Sequence, residues 1–325
     1  MKQTSLNLLF IAIIIIPYSC TQKCDCYPSP GPDNISHYDF NKTLIETNSV
    51  IFATGFQTIA SNQNLDSTQM AQLCQAVIDP VRFLDDESGY FFVESNNAWM
   101  VAHATKPELI GTYRYDVTDI MGDYYVRDMV EAITYKGYGF VEYYFENPQT
   151  ENPQKKLSFV KSIPSAEFFI GTGFYNYFDW YYYYKDEADM LLAQTLTKCM
   201  SQGLSGGIEM MSDSMQAVTF CRDFIDNIRF FDNQSGYFFI YDFNCVNVAH
   251  GTQKDLQGQN LYDYQDSKGQ YVIRDLVAIA REYGLGVYDY YWINPVTGNE
   301  EHKNAFVYKL PGIDYLIGSG VYFEQ

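Results

Sequence analysis

The chain has 325 residues, of which 47% are hydrophobic, enough to form one or two packed cores. It carries 40 acidic and 21 basic residues, a formal charge of −19. This balance argues against a nucleic-acid-binding protein, whose affinity depends on clustered Lys and Arg, and against charge-driven docking on an anionic membrane. The 30 Tyr and 23 Phe residues indicate interiors or pockets lined by aromatic rings.

The beginning of the chain, residues 1–19, has the pattern of a signal peptide. Lys2 gives a positive start, and an almost unbroken apolar run, too short to span a bilayer, extends from Leu6 to Ile16. The segment ends in Ser19-Cys20, and a small residue directly before Cys resembles a bacterial lipoprotein signal, in which the Cys becomes lipidated. We therefore predict an exported protein anchored to the membrane only through a lipid on Cys20. The alternative is ordinary secretion, with Cys20 incidental.

A linker rich in Pro and Gly, residues 20–37, follows the predicted signal peptide. It contains Cys24 and Cys26, but this stretch lacks the further ligands that a metal site needs. The spacing of the remaining cysteines is not that of a disulfide framework. Cys74 and Cys221 fall in helix-like segments, where a free Cys behaves as a small hydrophobic residue.

The rest of the chain repeats itself at a constant offset, which predicts two modules, residues 38–178 and 179–325. Ser88-Gly89-Tyr90-Phe91-Phe92 recurs 147 positions later as Ser235-Gly236-Tyr237-Phe238-Phe239. No insertion or deletion is needed from about Ser67 to Phe178. Further pairs at the same offset are Val101-Ala102-His103 with Val248-Ala249-His250, Arg127-Asp128 with Arg274-Asp275, and Asn147-Pro148 with Asn294-Pro295.

Each copy predicts the same order of elements. A helical stretch precedes each copy, Tyr38–Ala60 and Lys185–Gly203, and we interpret both as spacers because they do not keep the 147 offset. Short turns between strands, with helices to one side, predict an antiparallel sheet in an α+β fold. In the first copy the elements are helix Gln69–Phe83, strands Gly89–Glu94 and Ala98–His103, loop Pro107–Gly122, helix Tyr124–Thr134, and strands Gly139–Glu146, Lys156–Ile163 and Phe168–Phe174.

The repeated motifs resemble the small single Cache sensor domain. The resemblance implies an α+β fold of two tandem PAS-like modules outside the cytoplasm, each an antiparallel sheet flanked by a long N-terminal helix. It also implies that a small ligand, often a short organic acid, is held between the sheet and its covering loops and helix. The likeness is carried by Gly89-Tyr90-Phe91-Phe92, Ala102-His103, Tyr124-x-x-Arg127-Asp128-Met129, Gly139-Phe140-Val141-Glu142-Tyr143-Tyr144, Lys156-Leu157-Ser158-Phe159, Ile170-Gly171-Thr172-Gly173 and their counterparts in the second copy.

Arg127 and Arg274 are the first candidates for ligand binding. They occupy equivalent positions after a Tyr in a chain with few arginines. A guanidinium presents a planar fork of donors that matches a carboxylate. The alternative is an ion pair with Asp128, Asp275 or another local acid that holds the helix in place.

Four further pairs of repeated residues are candidates. His103 and His250 end the second strand of each copy, where a neutral imidazole can donate to a ligand oxygen and titrate near neutrality. The alternative is a histidine that is satisfied by the backbone. A Lys at the start of a strand can add positive charge to an anion site, and the alternative is that it stays solvated. A Tyr can present its hydroxyl to a ligand, and the alternative is that it only packs in the core. These residues are Lys156, Lys303, Tyr124, Tyr271, Tyr143 and Tyr290.

Motifs of enzymes are not found in the sequence, which has no paired-His metal motif, no Gly-x-Ser-x-Gly and no phosphate loop. We therefore expect no cofactor and no catalysis, but an extracytoplasmic lipoprotein that captures a small polar or carboxylated metabolite. It would be a binding or sensory accessory to an envelope receptor or transporter. The alternative is a scaffold lipoprotein whose Cache modules have lost ligand binding and contact protein or glycan.

Overall fold

The computed structural model describes residues 34–175 and 182–323 of the chain. The predicted signal peptide, Cys20 and the linker as far as residue 33 lie outside these ranges, as do residues 176–181 at the predicted module boundary. Within the described ranges, no helix combines the length and the apolar character needed to cross a membrane.

The first module is built on a five-stranded antiparallel sheet in the order β3-β2-β6-β5-β4. In the described part of this module the elements are β1 (Asn34–Ser36), α1 (His37–Asn62), α2 (Ser67–Ile78), β2 (Phe91–Ser95), β3 (Met100–His103), α3 (Tyr125–Lys136), β4 (Tyr138–Asn147), β5 (Asn152–Ile163) and β6 (Phe168–Tyr175).

The second module repeats this architecture, with the strand order β9-β8-β12-β11-β10. In the range 182–323 the elements are β7 (Tyr182–Tyr184), α4 (Lys185–Glu209), α5 (Ser214–Ile225), β8 (Phe239–Asp242), β9 (Asn247–His250), α6 (Val272–Tyr283), β10 (Leu285–Ile293), β11 (Glu300–Lys309) and β12 (Tyr315–Phe323). The predicted α+β fold with two antiparallel sheets is therefore confirmed.

Local sequence signals explain where the helices begin and end. At the start of α2, the Asp66 side chain accepts from the Gln69 backbone N–H at 2.9 Å, and the Gln69 side chain accepts in return from Asp66 at 3.0 Å. At the end of α3, Gly137 adopts φ 76°, a left-handed conformation that glycine reaches without strain. This turn sends the chain directly into β4, so α3 lies against the sheet that it precedes.

The leading helices α1 and α4 are parts of the core, and the interpretation of these stretches as spacers is wrong. The ring of Phe52 in α1 lies 4.5 Å from that of Phe91 in β2 and 6.0 Å from that of Phe224 in α5 of the other module. Helix α4 likewise packs on its own sheet and on α2 of the first module. The two helices are equivalent elements, but the residues that they bury differ.

The two modules share one hydrophobic core, formed by α1, α2, α4, α5 and one face of each sheet. The opposite face of each sheet has a separate small core, covered by α3 in the first module and by α6 in the second. Because a sheet strand presents alternate side chains to its two faces, β2 gives Phe91 and Val93 to the shared core and Phe92 to the core under α3. We call the face covered by α3 or α6 the outer face of each sheet. The buried polar side chains of the candidate site lie at this face.

Candidate ligand-binding site

A small enclosed cavity lies between the outer face of the first sheet and its covering loop and helix α3. Its free volume is about 10 Å³, close to the least space that holds one water molecule. The side chains around it are mostly aromatic, with two buried charged groups among them. The lining residues are Tyr90, Phe92, Glu94, Met100, His103, Arg114, Tyr125, Met129, Tyr143 and Phe145.

Arg114 and Glu94 are the charged groups of this cavity, with side chains only 7% and 2% exposed. Arg114 belongs to the loop between β3 and α3, and its backbone N–H donates to the Ala98 carbonyl at 2.8 Å, which holds that loop against the sheet. Its guanidinium donates to the Tyr125 hydroxyl and lies 3.7 Å, Nε to Oε1, from Glu94. Neither Arg114 Nε nor Glu94 Oε2 has a hydrogen-bond partner in the structure.

The charge state of Glu94 is set mainly by burial. Burial raises the pKa of Glu94 to about 7, because the loss of hydration disfavours the carboxylate more than the charge of the nearby Arg114 guanidinium stabilises it. Near neutral pH this side chain therefore changes between an acceptor-only carboxylate and a carboxylic acid that can donate.

Lys156 lies beside the cavity and is completely buried. Its Nζ is 3.9 Å from the centre of the Tyr90 ring and 5.0 Å from that of Tyr175, and it has no hydrogen-bond partner in the structure. Burial lowers the pKa of Lys156 well below its ordinary value. Its Nζ also lies 5.6 Å from the centre of the Phe145 ring, and the rings of Tyr90 and Phe145 line the cavity, so these rings stand between the amine and the cavity.

His103 is buried at the cavity wall, and its ring nitrogen Nδ1 accepts from the backbone N–H groups of Thr105 and Lys106 at 3.3 and 3.0 Å. This arrangement fixes the neutral tautomer with the proton on Nε2. Burial, with Lys156 as the next cause, lowers the pKa of His103 well below its ordinary value. The expectation that this histidine titrates near neutrality is therefore not met, although its Nε2–H is still a possible donor.

Tyr143 lines the cavity from β4. Its ring stacks on that of Tyr125 with centroids 4.4 Å apart and planes 2° from parallel, and its hydroxyl lies 3.1 Å from Ser158 Oγ. This stack joins the start of α3 to the sheet. It places two phenol groups side by side on one wall of the cavity.

Arg127 and Tyr124, expected from the sequence among the ligand-binding residues, lie outside the cavity. The Arg127 guanidinium is 2.5 Å from Asp116, donates from Nε to the Tyr115 carbonyl at 3.2 Å, and lies 3.7 Å from the centre of the Tyr124 ring. The side chain of Arg127 is 39% exposed. Its ion-pair partner is a local acid, as in the alternative interpretation. This acid, Asp116, lies in the covering loop and not in the helix of Arg127.

Arg274 and Tyr271 have the same arrangement in the second module. Arg274 pairs with Asp263 and donates to the Tyr262 carbonyl at 2.6 Å, and it lies 3.9 Å from the centre of the Tyr271 ring. Both arginines thus fasten the covering loop to the outer helix from the solvent side, since α3 and α6 turn their apolar faces, and not these positions, toward the sheet.

The second module keeps part of the buried polar set. Lys303 is completely buried, with Nζ 4.0 Å from the centre of the Tyr237 ring and without a hydrogen-bond partner in the structure. His250 accepts from Gln253 N–H at 3.0 Å, and burial lowers its pKa to about 3. Tyr290 is buried in the core under α6.

The Arg–Glu pair, however, is present only in the first module. At the 147 offset, Glu94 corresponds to Tyr241, and Arg114 corresponds to Leu261. Both replacements are buried in the hydrophobic core under α6. Sequence reasoning missed Arg114 and Glu94 because it selected residues that occur in both copies, and this pair distinguishes the copies.

The fold is thus two tandem α+β modules, each an antiparallel sheet with helices on both faces. A family model described as Cache domain matches residues 45–197 and 214–325, and the chain belongs to this family.

Two curated relatives match about one module's length. The sensor histidine kinase MctS of Rhizobium johnstonii is 37% identical over 92 residues, which are 28% of this chain and 20% of the relative. The methyl-accepting chemotaxis protein McpP of Pseudomonas putida is 30% identical over 89 residues, 27% of this chain and 16% of the relative. The matched part thus spans a fifth or less of these relatives' own length.

Solved structures with similarity include sensor domains of chemoreceptors. The periplasmic sensor domain of a chemotaxis protein is 26% identical, with a TM-score of 0.35, and the match covers 38% of this chain and 88% of that one. A Cache chemosensory domain described for carboxylic acid recognition is 28% identical, with a TM-score of 0.32, covering 38% of this chain and 82% of that one.

Proposed function

We propose that this protein is an extracytoplasmic sensory or binding protein whose first module holds a small carboxylate-bearing metabolite in the Arg114 cavity. The observation that carries this proposal is the presence of a buried guanidinium, Arg114, and a buried amine, Lys156, each with an unpartnered nitrogen at or beside one enclosed space. Leaving a buried donor unpaired is costly, and a ligand carboxylate supplies the missing acceptor. The relatives that match are sensory proteins, which agrees with this assignment.

The other cavity residues have defined parts in this proposal. Arg114 binds the carboxylate, the Lys156 amine beside the cavity is a further donor, and His103 donates from Nε2. Tyr143 and Tyr125 supply hydroxyls and a flat apolar wall. We assign Arg127 and Arg274, with Tyr124 and Tyr271, to holding the covering loops and not to ligand contact.

The cavity is too small for an organic acid, so binding requires it to open. Residues 104–124, the loop that carries Arg114, have to move outward, because the rest of the wall consists of strands and α3. Ligand binding would then close this loop over the acid, a local change on the outer face of the module.

The test compares Arg114, which lines the cavity, with Arg127, which the sequence pattern favours. In a thermal-shift and calorimetric screen of the full mature chain against short carboxylic acids, we expect a binding acid whose affinity falls at least about tenfold in Arg114→Ala. Arg127→Ala, on the solvent side of α3, is the matched control and should bind nearly as well. If no acid binds, or if Arg127→Ala alone abolishes binding, the proposal is wrong. Wild-type protein that binds no acid but retains an envelope protein in a pull-down would favour the scaffold alternative.

Export and lipidation belong to the same proposal and have their own test. We infer that cleavage before Cys20 leaves a lipidated Cys at the mature N-terminus, which anchors the modules at the membrane surface and allows contact with an envelope receptor or transporter. Mass spectrometry of the mature N-terminal peptide should show a diacylglyceryl modification, and Cys20→Ser should release the protein from membranes. An unmodified Cys20 in a secreted protein would support the alternative of ordinary secretion. A lipid-free wild-type protein would leave the cavity proposal intact.

A further inference from the structure

The Arg114 cavity encloses a carboxylate next to its guanidinium, and this restricts the acids that can bind. We propose that Glu94 is a specificity-determining residue, which makes the cavity select short carboxylates that carry a hydrogen-bond donor, a hydroxyl or an ammonium group, on the carbon next to the carboxylate. This inference rests on the proposed function of the cavity and goes beyond it by naming the substituent that the ligand must carry.

The first argument is the pattern of unmet hydrogen bonds. Arg114 Nε is a donor without a partner, and Glu94 Oε2 is an acceptor without a partner, in side chains that are both more than nine-tenths buried. The two side chains are neighbours, with Nε 3.7 Å from Oε1. When Glu94 is ionised, a plain monocarboxylate satisfies only the donor. A 2-hydroxy or 2-amino acid carries an acceptor and a donor on adjacent atoms, and it satisfies both groups at once.

The second argument is charge. A plain carboxylate bound at Arg114 would lie beside the Glu94 carboxylate in an enclosed site, where like charges repel strongly. A hydroxyl group placed between the two anions relieves this contact by donating to Glu94. An ammonium group does so more strongly, because it also carries the opposite charge. Sites that contain a buried polar group for one substituent discriminate against analogues that lack it.

The third argument comes from the repeat. In the second module the Glu and the Arg are both replaced, by Tyr241 and Leu261, while Lys303, His250 and Tyr290 are retained. The fold therefore does not need Glu94, since the same strand position accepts a Tyr. A buried carboxylate that is dispensable for the fold and occurs together with the Arg fits a role in recognition.

The experiment uses three acids of nearly equal size and the full chain. Propionate has no donor, lactate has a hydroxyl and alanine has an ammonium group on the second carbon. Calorimetry at pH 8, where Glu94 is mainly ionised, gives the affinity for each acid. We expect lactate or alanine to bind at least about tenfold more tightly than propionate, and the tighter of the two identifies the donor.

Two variants locate the selectivity. Glu94→Gln replaces the carboxylate by an amide that can donate to propionate, so the preference should fall to about threefold or less. Glu142→Gln, which changes an exposed carboxylate on β4 of the same module, should keep the wild-type preference. Circular dichroism establishes that both variants are folded before affinities are compared.

The outcomes separate this inference from the proposed function. If propionate binds wild-type protein as tightly as lactate and alanine, the inference is wrong while the proposed function stands. An unchanged preference in a folded Glu94→Gln variant overturns it as well. If none of the three acids binds, or if binding is unaffected by Arg114→Ala, the proposed function fails and the inference fails with it. The ranking of the acids by wild-type protein decides the matter even if Glu94→Gln does not fold.

Discussion

Gly206 in α4 lies directly against the backbone carbonyl of Ala76 in α2, with no room for a Cβ atom between them. These two residues belong to different modules, so their contact is part of the shared core. A backbone carbonyl within a helix cannot move aside as the end of a flexible side chain can. The separation of the two helices is therefore set by the absence of a side chain at residue 206.

Gly206→Ala should be strongly destabilising for this reason. Overpacking in a closely packed interior costs about 1–3 kcal/mol, and a clash with backbone belongs at the upper end of that range. Because the contact joins the modules, both should become unstable together. Urea denaturation monitored by tryptophan fluorescence measures the change in the unfolding free energy, and a midpoint equal to that of the wild type would contradict the close approach.

Stability should depend on pH through Glu94. Its folded pKa of about 7 lies above the ordinary value of 4.5, so the folded protein binds this proton more tightly than the unfolded chain does. The contribution to folding is thus fully present below about pH 4.5 and is lost as the pH rises through 7. The raised pKa corresponds to about 3 kcal/mol at most. Denaturation from pH 5 to 8 should show a steeper loss of stability in wild-type protein than in Glu94→Gln, and parallel curves would refute this.

Lys156→Met should stabilise the protein and abolish ligand binding. The amine is buried without a hydrogen-bond partner in the structure, and an apolar side chain of similar length removes its desolvation cost, for a gain of about 1 kcal/mol or more. Lys303→Met is the matched control, since it makes the same change in the second module. It should also stabilise, but it should leave binding to the first module intact. Two destabilised variants would show that the amines have partners in solution.

Cys74, Cys199 and Cys221 should resist alkylation in the native protein. All three are completely buried, and burial raises the pKa of each thiol, to about 12 for Cys199 and Cys221. Mass spectrometry of peptides after iodoacetamide treatment should find them unmodified without urea and fully modified in urea. Rapid native labelling of Cys221 would show that α5 separates from the shared core.

The sequence predicted the fold well where local periodicity carries the information. The strands β2 to β6 and helix α3 were predicted within a few residues, because alternation, turn residues and the 147 offset all agree. The equivalence of α1 and α4 was missed, since a helix can bury different side chains and still occupy the same place. Only the tertiary contacts, such as Phe52 with Phe224, reveal that these helices are core elements.

The cavity was predicted only in part. His103, Tyr143 and Lys156 were found because they recur in both copies, and the structure brings them to or beside one space. The outward position of Arg127 could have been predicted, because the buried residues Val126, Met129 and Ile133 define a helix face that does not include it. Arg114 lies in an irregular loop, where no periodicity indicates which side chains turn inward.

The shared core decides whether either module can exist as a separate fragment. Phe52 fills the space between a strand of its own module and a helix of the other, so a fragment containing one module alone would expose a large apolar surface to water. Neither module can therefore be removed without exposing apolar side chains of the other. The two modules can nevertheless differ in the groups buried under their outer helices, as Tyr241 and Leu261 in the second module show, because these positions lie outside the core that joins the halves.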